Sequence, residues 1–267
     1  MINTDRDPND GRITTRKEGA IFIITIDRPA KLNGFSAIML DELGFAFTTM
    51  ESDPEVRCGL LCAEGKNFSA GLELSAVSHY FAEGRPLFPK DDVDPVNLRG
   101  RLRSKPLVAA VKGICFTIGI ELMLAADVVV AASDCRFAQL EVKRGIMANC
   151  GATVRIVERA GLGNALRYLL TGDEFGADTA LRLGLVQEVV QPGNEWSRAL
   201  KLAEQIATQA PLAVAATLSN ARKAVFEGPE FAIAELDAVQ QRLIGTSDAA
   251  EGVRSFVERR PARYTGH

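Results

Sequence analysis

Three short apolar runs, set between segments with helical spacing, constrain the fold of this chain more than any other feature. They occupy Cys58–Ala63, Leu107–Val111 and residues 127–132. A continuous apolar run of this length is typical of a strand that is buried on both faces. Because strands and helices alternate along the chain, the pattern predicts an α/β architecture built from repeated strand-strand-helix units.

The segments on either side of these runs carry further signals. Residues 13–16 and 20–26 predict two strands joined by a hairpin turn at Glu18-Gly19, and Ser36 is placed to begin a helix that reaches about Met50. Residues 75–98 contain one glycine and three prolines, which predicts a long, partly mobile loop. After Trp196 the apolar spacing is helical. We therefore divide the chain into a core of residues 1–195 and a helical region of residues 196–267.

The composition argues against several classes of function. The net charge of -3 over 267 residues favours neither nucleic acid nor an anionic membrane as a partner. The two histidines are His79, in the predicted loop, and His267, the last residue, so a Ser-His-Asp relay or a histidine-rich metal site is not expected. The five cysteines show no CxxC spacing and read as reduced core residues, although Cys150 lies near Glu141 in the chain.

Two further patterns concern the location of the protein. No apolar run reaches the roughly 18 residues that a membrane-spanning helix needs. Residues 1–10 are polar and acidic, unlike a secretory signal peptide. We expect a cytoplasmic protein.

Two glutamates are candidates for chemistry because each lies in an otherwise apolar stretch. Glu121 is near the start of a helix predicted over residues 120–126, and Glu141 follows the mostly apolar segment 137–140. Burial raises the pKa of a carboxyl group, and two neighbouring carboxyl groups raise each other's further. One member of such a pair can hold a proton while the other accepts one. Paired structural carboxylates are the alternative, and the residues alone leave it open.

Two glycine turns could supply hydrogen-bond donors to a carbonyl oxygen. Residues 69–72 (SAGL) follow a predicted strand, and residues 117–119 (TIG) precede the helix of Glu121. Backbone N–H groups at a helix N-terminus lie at the positive end of its dipole and stabilise a developing oxyanion. Taken singly, each fragment is better explained as an ordinary turn.

Several segments acquire a sharper meaning when they are taken together. They read IDRPAKLN at 26–33, GKNFSAGLEL at 65–74, KPLVAAVKG at 105–113, GIEL at 119–122, AAD at 125–127, RFAQLE at 136–141 and LTG at 170–172, followed by residues 177–189. In order and spacing, from about residue 12 to residue 260, they resemble the crotonase (enoyl-CoA hydratase) superfamily. As a set the resemblance is specific, although any single segment would be weak.

This resemblance implies a spiral of strand-strand-helix turns with a C-terminal helical trimerisation region, and a site for acyl-CoA thioesters. It implies an oxyanion hole formed by the N–H groups of Leu72 and Ile118, with Glu121 and Glu141 as the catalytic pair. Further substrate contacts are expected from Ala30, Lys31, Ala70, Glu73, Leu74 and Gly119, and Lys31 or Arg28 is a candidate for the CoA phosphates. The implied partners are an acyl-CoA substrate and identical subunits, as a homotrimer or a dimer of trimers. No metal or cofactor is expected beyond the CoA of the substrate.

The implied reaction is the syn addition of water to a 2,3-enoyl-CoA thioester. The alternatives are an enoyl-CoA isomerase, another CoA-thioester enzyme of this fold and, less favoured, a non-catalytic relative that binds CoA or RNA. The chain departs from the family at residues 117–119, where consecutive glycines are usual, and at Glu73, where aspartate is commoner. At Asn149 dienoyl-CoA isomerases would carry an aspartate. Acyl specificity is expected to lie in residues 75–98.

Overall fold

The computed structural model describes residues 10–267, apart from the side chains at positions 76, 79 and 81. The prediction about the start of the chain therefore falls, except for Asp10, outside the described residues. The described chain has the predicted α/β architecture. Its strands are β1 (Arg12–Glu18), β2 (Ile21–Asp27), β3 (Cys58–Ala63), β4 (Leu107–Val111), β5 (Ile114–Phe116), β6 (Val128–Ala132), β7 (Arg136–Ala138), β8 (Phe175–Gly176) and β9 (Glu188–Val190). Its helices are α1 (Ala37–Ser52), α2 (Leu74–Ala82), α3 (Ile118–Ala125), α4 (Ala152–Ala160), α5 (Leu162–Leu169), α6 (Ala177–Arg182), α7 (Glu195–Ala207), α8 (Pro211–Phe226), α9 (Pro229–Ile244) and α10 (Ser247–Glu258).

A six-stranded sheet forms the centre of the fold, in the order β1-β2-β3-β4-β6-β9. The first two strands are the predicted antiparallel hairpin, and the later strands add in parallel. A smaller sheet has the order β5-β7-β8, with β5 parallel to β7. The main sheet is covered on both faces, which explains why its central strands are continuously apolar rather than alternating.

The two sheets are built together by a repeating path of the chain. Strand β4 joins the large sheet, β5 joins the small one, and α3 follows; strand β6, strand β7 and then α4 repeat this order. The preceding strand-strand-helix unit starts with β3 in the large sheet and ends with α2. Between them, a single bridge from Ser69 to Cys115 of β5 takes the place of a strand of the small sheet. Each unit thus adds one strand or one bridge to each sheet. This repeat is the predicted spiral of strand-strand-helix units.

Two apolar clusters fill the space on the two sides of the large sheet. The larger cluster lies between the sheet and α1, α3 and α4, with Phe47, Ile120 and Ile156 as representative buried members. The smaller one lies between the other face and α7, whose Ala199 and Ala203 are fully buried. Helix α7 therefore packs on the sheet although it begins at the boundary predicted between the two regions. That boundary stays a prediction.

The helices after α7 have almost no buried side chains. Helix α8 has none, α9 has only Ala232, and α10 has Asp248 and Ser255. Their large apolar side chains are instead exposed, as for Phe231 on α9 (53%) and Phe256 on α10 (85%). The predicted helical region is present: α8 and α9 pack on each other, yet large apolar side chains of α8–α10 stay exposed within the described chain.

Four local predictions need correction. Residues 75–98 are not one loop, because α2 occupies the first part and includes the backbone of His79. Helix α3 begins at Ile118, two residues earlier than predicted, and Asp127 precedes strand β6 rather than belonging to it. Ser36 does precede α1, but its hydroxyl donates to the carbonyl of Asp10 instead of capping the helix.

The five cysteines all lie in the described part of the chain, where they are free and buried, as predicted. In residues 10–267 no helix combines the length and the hydropathy needed to cross a bilayer.

Candidate active site

The pairing of Ser69 with Cys115 brings the two glycine turns together. The two residues form a parallel bridge, with Ser69 N donating to the carbonyl of Ile114 (3.0 Å) and Phe116 N donating to the carbonyl of Ser69 (2.9 Å). The two bridged segments run parallel and in register. Leu72 and Ile118, each three residues further along, therefore lie at the same end of the bridged pair. Both residues line one cavity.

The first turn is held by buried side-chain hydrogen bonds. Ser69 Oγ donates to the carbonyl of Asn33 (2.8 Å) and accepts from the N–H of Gly71 (3.1 Å). The carbonyl of Gly71 accepts from Phe35 N (2.8 Å), and Glu73 N donates back to the carbonyl of Phe35 (2.9 Å). Among the described residues, no acceptor takes the N–H of Leu72 between them. This donor is therefore available to a ligand in the cavity.

The second turn leads directly into α3. Thr117 N donates to the carbonyl of Ala138 (2.9 Å), and the carbonyl of Thr117 accepts from Ile120 N (2.9 Å) and Glu121 N (3.2 Å). As the first helical residue, Ile118 has no intrahelical acceptor for its own N–H, and none is provided elsewhere in the described chain. This N–H lies at the positive end of the helix dipole, which favours a partial negative charge beside it.

Thr117 adopts a backbone conformation that suits glycine. Its φ of 50° and ψ of -120° lie outside the regions open to a β-branched residue. Residues held in such regions cost roughly 1–3 kcal/mol and persist only where the surroundings determine them. Gly71 faces it with a φ of 111°, and a Cβ on Gly71 would overlap Thr117 Oγ1. The two turns are thus in direct contact, and the glycine at position 71 is needed both for its φ and for space.

Glu121 extends from the first turn of α3 and is only 2% exposed. Its Oε1 accepts from Cys150 N (2.8 Å) and from Ala152 N (3.1 Å). Burial raises the pKa of Glu121 to about 7; those two N–H groups oppose this shift, and the negative charge of Glu141 adds to it. Both protonation states of Glu121 are therefore accessible near neutral pH.

Glu141 lies just beyond β7, at the start of a short 3-10 helix (Glu141–Arg144). Burial also raises the pKa of this carboxyl group. Its Oε2 is buried and has no hydrogen-bond partner among the described residues. An uncompensated acceptor is costly to bury, so this oxygen is the part of the site most in need of a proton donor.

The two glutamates and the two turns line the same cavity, which has a volume of about 470 Å³. Its walls are mainly apolar, through Leu72, Leu140, Ile146 and Met147 among others. A mostly apolar cavity with a few convergent polar groups is the usual form of a small-molecule site. The geometry can hold a carbonyl oxygen at the turns, an apolar group against the walls and a transferable proton at the carboxyl pair.

Comparison with known proteins identifies the family of the chain. Residues 16–267 match the family model described as Enoyl-CoA hydratase/isomerase. The short-chain enoyl-CoA hydratase of Clostridium acetobutylicum is 32% identical over 254 residues, which cover 93% of this chain and 95% of that protein. The carnitinyl-CoA dehydratase of Salmonella arizonae is 34% identical over 260 residues, covering 94% and 97%.

Among solved structures, a probable enoyl-CoA hydratase/isomerase from Mycobacterium abscessus superimposes with a TM-score of 0.92. It is 44% identical, with 96% of this chain and 98% of that one covered. The chain belongs to the enoyl-CoA hydratase/isomerase family. The predicted crotonase superfamily and its fold are thereby confirmed.

Within this family member, the residues predicted to contact substrate fall into two groups. Ala70, Leu72, Leu74, Ile118, Glu121 and Glu141 line the cavity. Ala30, Lys31, Glu73 and Gly119 do not. Ala30 and Lys31 are exposed in the 3-10 turn Pro29–Lys31. This turn adjoins the first glycine turn through the hydrogen bond from Ala70 N to the carbonyl of Leu32 (2.9 Å).

Gly119 is buried, and a Cβ there would lie 3.2 Å from Ser69 Cβ, so this glycine allows α3 to pack closely on the first turn. Glu73 forms an ion pair with Arg28 (2.7 Å), and Arg28 also donates to the carbonyl of Gly34 (2.9 Å). Because the side chain of Arg28 is only 6% exposed, it stabilises the first turn and is badly placed for a phosphate. Lys31 remains the better candidate of the two.

Sequence reasoning missed part of the cavity wall. The missed residues are Arg144, Ile146 and Met147. Their signal was weak, because residues 145–151 lack a clear periodicity. Asn149 and Cys150, both noted from the sequence, also line the cavity. The backbone N–H of Cys150 holds Glu121 by donating to its carboxyl group. Burial raises the pKa of the Cys150 thiol well above its usual range. Among the side chains that the structure describes, which leave out that of His79, no group of three or more His, Cys, Asp or Glu is arranged to hold a metal ion.

Proposed function

We propose that this enzyme catalyses the reversible syn addition of water to a 2,3-enoyl-CoA thioester. The observation that carries the proposal is the placement of two carboxyl groups of raised pKa on the wall of a cavity that also contains two unpaired backbone N–H donors. A carboxyl pair alone would suit many reactions. Together with an oxyanion site, it suits proton transfer next to a carbonyl group.

In the proposed reaction, the N–H groups of Leu72 and Ile118 donate to the thioester oxygen. One glutamate, in its carboxylate form, takes a proton from water as the water oxygen bonds to C3. The electron pair of the double bond moves toward the carbonyl oxygen, which becomes an enolate held by the two N–H groups. The other glutamate, in its acid form, gives its proton to C2. Water is added, and the pair as a whole keeps one proton.

The names of two relatives support this reaction type, since one is a hydratase and the other a dehydratase of CoA thioesters. The cavity wall suits an apolar acyl group, because Leu74, Ile146 and Met147 present partly exposed apolar side chains there (41%, 45% and 68%). Burying these surfaces against an acyl chain contributes roughly 25 cal/mol per Å².

The proposal includes self-association of the C-terminal helices into a homotrimer or a dimer of trimers. It is supported by the exposed apolar faces of α8–α10, which a second copy of the chain would cover. The cytoplasmic location and the lack of a requirement for a metal or a further cofactor stay predictions.

Turnover of crotonyl-CoA, followed as loss of the enoyl-thioester absorbance, tests the proposed function. We expect Glu141→Gln to lower kcat on the order of 10²–10⁴-fold, the usual contribution of a positioned acid or base. Glu55→Gln, at a 77% exposed position that does not line the cavity, is the matched control and should leave turnover unchanged. Full turnover by Glu141→Gln would remove this residue from the mechanism. A shifted double bond in the product, in place of a hydroxyacyl thioester, would identify an isomerase.

A further inference from the structure

The side chain of Thr117 points the same way as the N–H of the next residue. At a ψ of -120°, the Cβ of an L-residue eclipses the following amide nitrogen, which is why this region is open mainly to glycine. In a trans peptide, the N–H lies on the same side of the C–N bond as the preceding Cα. Thr117 Cβ and the N–H of Ile118 therefore project together, and both residues line the cavity.

The hydroxyl of Thr117 also reaches the opposite turn. Its Oγ1 is the nearest atom to the position that a Cβ on Gly71 would take, and its methyl carbon is further away, at 3.7 Å. Gly71 immediately precedes Leu72, so the hydroxyl lies between the turns that carry the two backbone donors. Within the described chain, Thr117 Oγ1 makes no hydrogen bond to another residue, although its backbone N–H and carbonyl are both paired. A free hydroxyl at this point can donate to an oxygen in the cavity.

We propose that the Thr117 hydroxyl is a third donor to the thioester oxygen, beside the N–H groups of Leu72 and Ile118. The inference rests on the proposed function, since it requires a thioester in this cavity. The oxygen becomes more negative as the double bond electrons move onto it, so a third donor stabilises the enolate more than the substrate. Such a donor accounts for a β-branched residue in a conformation otherwise suited to glycine.

Three substitutions separate the hydroxyl from the shape and strain of the side chain. Thr117→Val keeps the branched shape and loses the hydroxyl, and Thr117→Ser keeps the hydroxyl and loses the methyl group. Thr117→Gly loses both and relaxes the backbone. We expect kcat/KM with crotonyl-CoA to fall by at least about 10-fold in the valine and glycine variants, and to stay within about 3-fold of wild type in the serine variant.

A spectroscopic measurement shows whether the hydroxyl acts on the carbonyl itself. Butyryl-CoA has no double bond to hydrate, so its bound thioester C=O stretch can be recorded with a ¹³C label by difference infrared spectroscopy. The stretch should lie at lower frequency in wild type and Thr117→Ser than in Thr117→Val and Thr117→Gly. If Thr117 only kept the two turns apart, the carbonyl frequency would not depend on whether residue 117 has a hydroxyl group.

The outcomes distinguish this inference from the proposed function. Equal carbonyl frequencies in the serine and valine variants, or faster turnover by Thr117→Gly, would overturn the third donor and leave the hydratase proposal intact. If wild type bound butyryl-CoA with the expected frequency pattern but did not hydrate crotonyl-CoA, the third donor would stand and the reaction would be wrong. Failure of wild type to bind butyryl-CoA would overturn both. If the valine variant did not fold, the serine and glycine variants would decide alone.

Discussion

The spiral core and the last three helices treat their apolar residues in opposite ways. In the core, both faces of the six-stranded sheet are covered, and side chains such as Phe47 and Ile120 are fully buried. In α8–α10 the helices have the same apolar spacing, yet Phe256, Val257 and Val253 are 85%, 73% and 69% exposed. The core therefore buries its own apolar side chains, whereas the helical region leaves large ones exposed within the described chain.

Buried polar groups also differ between the core and the helical region, in the opposite direction. The core buries carboxyl groups with raised pKa and a strained turn around its cavity, and these features oppose folding. The helical region has few buried polar side chains, and those of α10 are hydrogen-bonded: Asp248 accepts from the N–H groups of Thr265 (2.7 Å) and Gly266 (2.9 Å). The packing of the core thus offsets the cost of holding the candidate site, a cost that the exposed helices do not carry.

The strongest test of the contrast is to make the exposed helical faces polar. Replacing Ile233 of α9 and Phe256 of α10 together by aspartate should convert the assembly to monomers, because it places charges in the proposed interface. Sedimentation velocity measures the change. Gln241→Ala, at an exposed polar position of α9, is the control and should keep the wild-type mass. If the wild-type protein sedimented as a monomer of 28.8 kDa, the exposed helical faces would not be an interface between copies of the chain.

The second prediction concerns the ion cluster that joins the two regions. Asp127 Oδ2 pairs with Arg103 of the core (2.8 Å), and Oδ1 pairs with Arg222 of α8 (2.7 Å). Although burial raises the pKa of Asp127, the two guanidinium groups hold it below its ordinary value. Asp127→Asn should lower the free energy of unfolding by about 3–5 kcal/mol, because it leaves the fully buried Arg103 without a counter-charge.

Arg222→Ala gives the matched comparison for this cluster. Arg222 is 22% exposed and leaves the Asp127–Arg103 pair intact, so its removal should cost only about 1 kcal/mol. Urea unfolding of both variants measures the two costs. Equal losses would show that α8 is part of the core's cooperative unit, contrary to a difference between the core and the last helices.

The third prediction tests the contact between the two turns of the site. Gly71→Ala introduces a Cβ at a φ of 111° and against Thr117 Oγ1, so it should displace one N–H donor and lower kcat on the order of 10²–10³-fold. Gly161→Ala is the control, because Gly161 also has a positive φ (76°) but open space around its Cα. It should lose stability and keep its turnover. Similar turnover in both variants would argue against a close contact at the site.

The fourth prediction is a gain in stability from removing one of the two proposed catalytic carboxyl groups. The pKa of Glu121 rises from 4.5 to about 7 on folding, so the folded protein binds this proton more tightly than the unfolded chain does. Stability is therefore lost as pH rises from about 5 to 8 and the buried group ionises. Glu121→Gln should be more stable than wild type by about 2–3 kcal/mol at pH 8 and nearly equal at pH 5.

Thermal or urea unfolding at the two pH values measures this difference. Gln keeps an oxygen for the N–H groups of Cys150 and Ala152, so the comparison isolates the charge. A gain that was the same at both pH values would assign it to packing rather than to ionisation.

The elements that depend on local pattern were predictable from the sequence. The hairpin at Glu18-Gly19, the buried strands β3 and β4 and the helical C-terminal region all follow from short-range periodicity. The resemblance placed Glu121 and Glu141, and the structure puts both on one cavity wall. Helix α2 was missed because the prolines at 86, 89 and 95 suggested a loop, yet all of them lie beyond its end at Ala82.

Other features depend on contacts between distant residues. Asp127 was assigned to a strand, and its partners Arg103 and Arg222 lie 24 and 95 positions away, which no local pattern reveals. The conformation of Thr117 contradicts the preferences of its residue type and is imposed by its neighbours, so the residue type alone does not predict it. Functional sites are where such conflicts are expected.

The most direct test of the account is the product formed from crotonyl-CoA in D₂O, compared between wild type and Glu141→Gln. We predict that wild type gives 3-hydroxybutyryl-CoA with one deuterium at C2, and that the variant gives almost none in the same time. An isomerised thioester, or equal amounts of the hydroxyacyl product from both proteins, would contradict the assignment of hydration to this pair of glutamates.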